Sequence, residues 1–93
     1  MKSYLYIITH PKFPGWIKLG RTSNLASRLN TYNTGCPFKE YKYEYYIEIL
    51  LPVIYNVEQH FKINVHSNGY EWFEISVDDA IKLINKVIIE EIS

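Results

Sequence analysis

The sequence predicts one α+β domain: a small three-stranded antiparallel sheet flanked by helices, with a short strand and a C-terminal helix appended. Three observations carry that prediction. Residues 4–20 read as two β-rich runs joined by a proline- and glycine-containing turn. Residues 41–51 alternate almost completely between core-type and polar side chains, as a half-buried antiparallel strand does. Three other stretches place apolar residues at helical spacing. The 93 residues suffice for a single domain, 1–93, with a modest core.

Residues 4–9, Tyr-Leu-Tyr-Ile-Ile-Thr, form the first expected strand. Pro11, Pro14 and Gly15 mark the turn after it, and Trp16 to Gly20 return as its partner. Alternation puts Leu5, Ile7, Ile17 and Leu19 on the core face. Tyr4, Tyr6, Ile8, Trp16, Lys18 and the bare Gly20 lie on the other.

Thr22, Ser23 or Asn24 can cap a helix whose apolar stripe is Leu25, Leu29 and Tyr32, with Arg28 at its flank. Asn33-Thr34-Gly35 and Pro37 end that helix. In the third strand Tyr43, Tyr45, Ile47 and Ile49 share one face, opposite Lys42, Glu44, Tyr46 and Glu48. Pro52 suits a helical first turn. Ile54, Val57, Phe61 and Val65 then follow at helical spacing, with Glu58 on the flank.

Asn68-Gly69 signals a turn before a short strand, 70–76. Ser76 with Asp79 opens the last helix in the manner of a capping box, and Val77, Ala80, Ile81, Ile84, Val87 and Ile88 form its buried stripe.

Composition bounds the function. No apolar run reaches membrane-span length and no signal peptide is recognisable, so no membrane role is expected. Cys36 is the single cysteine and cannot close an internal disulfide, which fits an intracellular protein, in the cytoplasm or nucleus. It stands before Pro37 with no histidine near it in sequence and reads as a small half-buried residue. His60 and His66 are six apart, which is off one helix face, and Cys36 is remote from both, so zinc is not expected.

Net charge is zero, but it divides unevenly. Residues 1–45 hold seven Lys and Arg against two Glu, and residues 46–93 hold three Lys against eight acids. One half can face phosphate while the other supplies carboxylate for a cation.

The ordered set Tyr4-Leu5-Tyr6, Lys18-Leu19-Gly20, then Arg28 in a capped helix and Glu58 in a later one, resembles the GIY-YIG nuclease superfamily. Tyr6 matches the first-triplet tyrosine and Arg28 the helix arginine; Glu58 matches the metal-binding glutamate. Two departures stand out: the first triplet lacks its glycine, and Lys18 replaces the second tyrosine. The closing Tyr70-Glu71-Trp72-Phe73 resembles a branch common in phages and large DNA viruses. That branch also often reads Lys-Ile-Gly at the second triplet, and it often carries a histidine four residues after the glutamate. Here that place is Lys62, with His60 two residues after Glu58.

The resemblance implies a Mg²⁺- or Mn²⁺-dependent endonuclease acting on DNA. Glu58 would hold the metal, with waters and phosphate completing its shell. Arg28 would grip phosphate through its planar fork, with Arg21 and Lys18 as further contacts. Tyr6 would orient or deprotonate water, and Lys18, on the same strand face, would lower its pKa or act as a base itself. His60 and Glu71 would support the site from behind. The competing reading is a degenerate module of the same fold that binds nucleic acid or protein without cutting. The oligomeric state stays open, a homodimer included.

Overall fold

The computed structural model describes residues 2–69 and 71–92. Its elements are β1 (Lys2–Thr9), β2 (Trp16–Thr22), α1 (Leu25–Thr34), β3 (Lys42–Leu50), α2 (Leu51–Asn64), β4 (Trp72–Glu74) and α3 (Val77–Ile92). The strands form one sheet in the order β3-β1-β2-β4, and every neighbouring pair is antiparallel. The three-stranded sheet expected from the sequence is therefore the body of this sheet, with the appended strand hydrogen-bonded to the outer edge of β2. Tyr70, placed by the sequence at the start of that strand, lies outside the described residues.

β1 is central and covered on both faces, so four consecutive residues, Leu5 to Ile8, are buried. One face packs on α2 and α3. There Leu5, Ile7, Ile17 and Leu19 meet Ile54, Val57 and Phe61 of α2 and Ala80, Ile84 and Val87 of α3. Phe61 and Phe73 close this core edge to face, with ring centroids 5.4 Å apart. Removing the Phe61 ring should cost about 3–5 kcal/mol, the usual range for a buried phenylalanine.

α1 lies on the opposite face and buries none of its own residues completely. It rests on tyrosines: Tyr43 Oη donates to Leu25 O at 2.7 Å, and Tyr32 Oη lies 2.9 Å from Tyr6 Oη. Asn24 is its cap, accepting Ser27 N–H at 3.0 Å, and the Asn33 side chain pins the following connection through both backbone groups of Tyr41.

Tyr43 departs from the expected strand parity. The β1–β3 register shifts between Ile7 and Ile8, so Tyr45 pairs with Ile7 and Tyr43 with Ile8. Glu44 is the extra residue of a bulge, and a one-residue slip sends the next side chain to the other face. Tyr43 thus joins Tyr6, at a ring distance of 5.3 Å, under α1.

Two element boundaries bring the end of β2 against the flank of α2. β2 runs to Thr22, past the glycine at which the sequence suggests it ends, because Tyr4 and Leu5 still pair with Thr22 and Arg21. β3 passes into α2 without a loop, Leu50 being both strand end and helix cap. That direct junction fixes the rotation of α2. Ile54, Val57 and Phe61 point inward, and Glu58 is left on the flank that faces the end of β2.

Among the described residues, no helix is long and apolar enough to cross a membrane.

Candidate functional site

β4 covers the outer edge of β2 only from Trp16 to Lys18, plus one further bond from Leu19 N to Glu71 O. Where that cover stops, a cleft of about 200 Å³ opens, lined by Tyr6, Gly20, Arg21, Arg28, Glu58 and Glu71. It is not the largest hollow: one of about 570 Å³ lies between the hairpin turn and the start of α3. The smaller cleft is distinguished by its chemistry, since every lining residue except Gly20 brings a polar or charged group.

The cleft gathers residues from both sides of the sheet. Tyr6 and Arg28 reach it from the α1 side. Glu58 reaches it from α2, in the opposite layer, and Arg21 from the α2-facing parity of β2. These groups meet around the end of β2, where Gly20 has no side chain to separate them.

Tyr6 is 1% exposed as a residue, yet its hydroxyl faces the cleft. Burial raises its pKa above the ordinary tyrosine range. The hydrogen bond with Tyr32 and the positive charge of Arg28 pull the other way, but less strongly. Tyr32 is raised too, first by burial and then by its contact with Tyr6. The two hydroxyl oxygens are 2.9 Å apart, and either can donate to the other. Lys18, expected to lower the pKa of Tyr6, is not among the causes of its shift; Arg28 is the cation that acts on it.

Lys18 does not line the cleft. Its Nζ is 3.6 Å from Glu71 Oε2 and 5.0 Å from the centroid of the Tyr32 ring. Through that contact it holds Glu71 at the rim. His60 is also absent from the cleft. Glu58 sits on the cleft flank of α2, and two further positions along a helix turn a side chain about 200° away.

Arg21 and Glu58 are bound to each other. Arg21 Nη1 donates to both carboxylate oxygens, at 2.9 and 3.0 Å, and the guanidinium also lies 4.9 Å from the Tyr55 ring centroid. Arg28 takes part in no carboxylate pair among the described residues; its guanidinium acts on Tyr6 through its positive charge. The sequence did not single out Tyr32. Its position at the end of the α1 stripe was legible, but its hydroxyl contact with Tyr6 depends on how α1 sits on the sheet.

The chain matches the T5orf172 domain over residues 3–88. It belongs to the T5orf172 family. This is a phage-associated family related to GIY-YIG- and HNH-type nucleases and associated with nuclease-like and DNA-binding functions. The match spans every residue of the cleft, from Tyr6 to Glu71, so this T5orf172 domain contains the whole site. No curated protein and no solved structure matches the chain.

The donors in the cleft are oxygens only: the carboxylates of Glu58 and Glu71 and the hydroxyl of Tyr6. Such a set suits a hard dication and not a thiophilic one. The residues present fit Mg²⁺ or Mn²⁺ on one condition, that Arg21 releases Glu58.

Proposed function

We propose that this T5orf172 domain is a metal-dependent endonuclease that hydrolyses DNA phosphodiester bonds, with GIY-YIG-like chemistry. The observation that supports it most is the convergence of Tyr6, Arg21, Arg28, Glu58 and Glu71 on one small cleft, although they lie on four different elements and one connection of the fold.

A Mg²⁺ or Mn²⁺ ion held by Glu58 would supply charge neutralisation at the phosphate and at the leaving oxygen. The chain's own groups do the rest. Arg28 presents a planar fork to two non-bridging oxygens of the phosphate. Tyr6, at the base of the cleft, accepts a hydrogen bond from the attacking water, and takes the water's proton only after releasing its own to solvent and becoming the phenolate. Tyr32 donates to the same oxygen and stabilises the charge that develops there. In this mechanism Tyr6 is neutral in the resting protein, because burial keeps its proton on; it becomes a better acceptor only when the cleft fills with cations.

Arg21 has a double task. In the resting protein it neutralises Glu58. With DNA and a metal ion present, Glu58 would hold the ion and Arg21 would turn to the phosphate. Lys18 and Glu71 form the rim, and Lys18 adds positive charge where the backbone approaches. The basic excess of residues 1–45 provides the remaining attraction.

One observation favours the alternative, a module that binds DNA without cutting: both oxygens of Glu58 are already taken by Arg21. Nicking of supercoiled DNA with Mg²⁺ or Mn²⁺, paired with gel-shift titration, separates the two. An endonuclease nicks as wild type, whereas Glu58→Gln binds but does not nick. If the wild type binds DNA and leaves it intact with either ion, the binding module is the correct reading.

A further inference from the structure

A second cluster of ligating side chains lies away from the cleft, where the turn after β1 meets the connection between α1 and β3. The donor atoms of His10, Cys36 and Glu40 all lie within 4.8 Å of one another. We propose that these three residues bind one zinc-like dication, in a site separate from the nuclease cleft and chemically unlike it.

The spacing is that of a coordination shell. Cys36 Sγ is 3.8 Å from His10 Nε2. With Zn–S near 2.3 Å and Zn–N near 2.0–2.1 Å, tetrahedral geometry separates sulfur and nitrogen by about 3.6 Å. For this sulfur–nitrogen pair, closing on an ion requires a movement of only a few tenths of an ångström, and the Glu40 carboxylate, within 4.8 Å of both, completes the set by a side-chain rotation. Thiolate, imidazole and carboxylate together select zinc over Mg²⁺, the reverse of the all-oxygen cleft.

The backbone around the cysteine is shaped to hold it. Lys39 N donates to Cys36 O at 3.1 Å, and Lys39 adopts φ 52°, a left-handed conformation that residues with a β-carbon seldom take. That turn brings Glu40 back, so that its N–H donates to Cys36 Sγ at 3.4 Å. An N–H aimed at sulfur complements a negatively charged ligand. His10 is buried, at 7% exposure, and is held between the rings of Phe13 and Tyr41, with centroid distances of 5.1 and 4.5 Å. The fourth position opens onto a hollow of about 350 Å³ bordered by Lys12, Phe13 and Tyr32, where water can complete the shell.

Metal binding also moves protons in a defined way. His10 Nδ1 accepts Lys12 N–H at 3.1 Å, so the ring proton of the neutral metal-free protein is on Nε2. On metal binding the Cys36 thiol loses its proton to solvent. The ring proton moves from Nε2 to Nδ1, and the Lys12 amide turns to water in its exposed turn. One proton is released per ion from the neutral thiol and imidazole, and no redox partner is needed. The sequence spacing concealed this site, since His10 and Cys36 are 26 residues apart.

The test is Co²⁺ and Zn²⁺ titration of the full chain in a non-chelating reducing buffer. The expected result is one equivalent of Co²⁺ with a near-ultraviolet thiolate-to-cobalt band, displaced by Zn²⁺. The Lys12 amide resonance should shift on Zn²⁺ addition. Cys36→Ser and His10→Gln should each abolish the band, and Glu40→Gln should weaken binding by at least about 10-fold. Melting in EDTA checks the fold of each variant. If His10→Gln does not fold, the Lys12 resonance of the wild type and the Glu40→Gln titration decide. A band that survives in folded His10→Gln, or a Lys12 resonance that ignores Zn²⁺, overturns the site.

Discussion

Gly20 lies directly opposite Tyr6 in the β1–β2 ladder, and a β-carbon at position 20 would fall 2.5 Å from Tyr6 Cζ. The bare glycine therefore leaves room for the buried phenol and opens the cleft above its hydroxyl. Backbone freedom is not the reason for the glycine here, because positive φ occurs only at Gly15 and Gly69 among the described glycines. Gly20→Ala should force the Tyr6 ring aside and cost about 1–3 kcal/mol, as overpacking does. For a domain of this size that corresponds to a fall in Tm of roughly 4–8 °C per kcal/mol. A melting curve that does not move would show that the sheet gives way at no cost, and would remove the steric argument.

Arg28 is exposed on α1 and contributes nothing to the core, so its removal separates chemistry from folding. Arg28→Ala should leave stability within about 0.5 kcal/mol of wild type. Nicking should drop below detection. Cleavage near the wild-type rate would mean that the guanidinium does not hold the scissile phosphate.

Burial of Tyr6 and Tyr32 predicts alkaline weakening of the fold. Both pKa values are raised relative to the unfolded chain. The stability this represents is complete below about pH 10, where unfolded tyrosine titrates, and is lost as pH rises further. The unfolded chain then binds fewer protons than the native one. Stability should fall by about 1.4 kcal/mol per pH unit for each tyrosine still protonated in the fold. Urea midpoints between pH 8 and 11 should show this decline in the wild type and a shallower one in Tyr32→Phe. Equal slopes for the two proteins would mean that Tyr32 exchanges its proton as freely as in the unfolded chain.

Much of the fold was legible in the sequence because its signals were local. Strand alternation placed Leu5, Ile7, Ile17 and Leu19 in the core, Ser76 and Asp79 marked the start of α3, and helical spacing put Glu58 on a flank. What escaped depended on distant contacts. The bulge at Glu44 moved Tyr43 to the other face, and no composition rule signals it. Lys18 shares a strand face with Tyr6, but Glu71 and Tyr32 draw its ammonium to the rim. The Arg21–Glu58 pair links residues 37 apart in sequence, and it arises only because β2 outruns Gly20 and β3 runs straight into α2.

In the proposed mechanism the same ion pair sets metal binding against DNA binding. Arg21 is 45% exposed and Glu58 18% exposed at the side chain, and both carboxylate oxygens are occupied. A partly exposed pair of this kind contributes about 0–1 kcal/mol to stability, so Arg21→Ala should fold normally. Its effects on the two ligands should oppose each other. Without DNA, Mn²⁺ should bind several-fold more tightly, because Glu58 no longer has to leave a guanidinium before it meets the ion. DNA should bind more weakly, and the slope of log K against log salt should become shallower by about one unit, as expected for one lost phosphate contact. Calorimetric Mn²⁺ titration and salt-dependent DNA binding of the two proteins check both halves. Should Mn²⁺ affinity stay the same while DNA binding weakens, Arg21 is a phosphate contact that does not control the metal site. Should Mn²⁺ affinity rise with DNA binding unchanged, its task ends at holding Glu58.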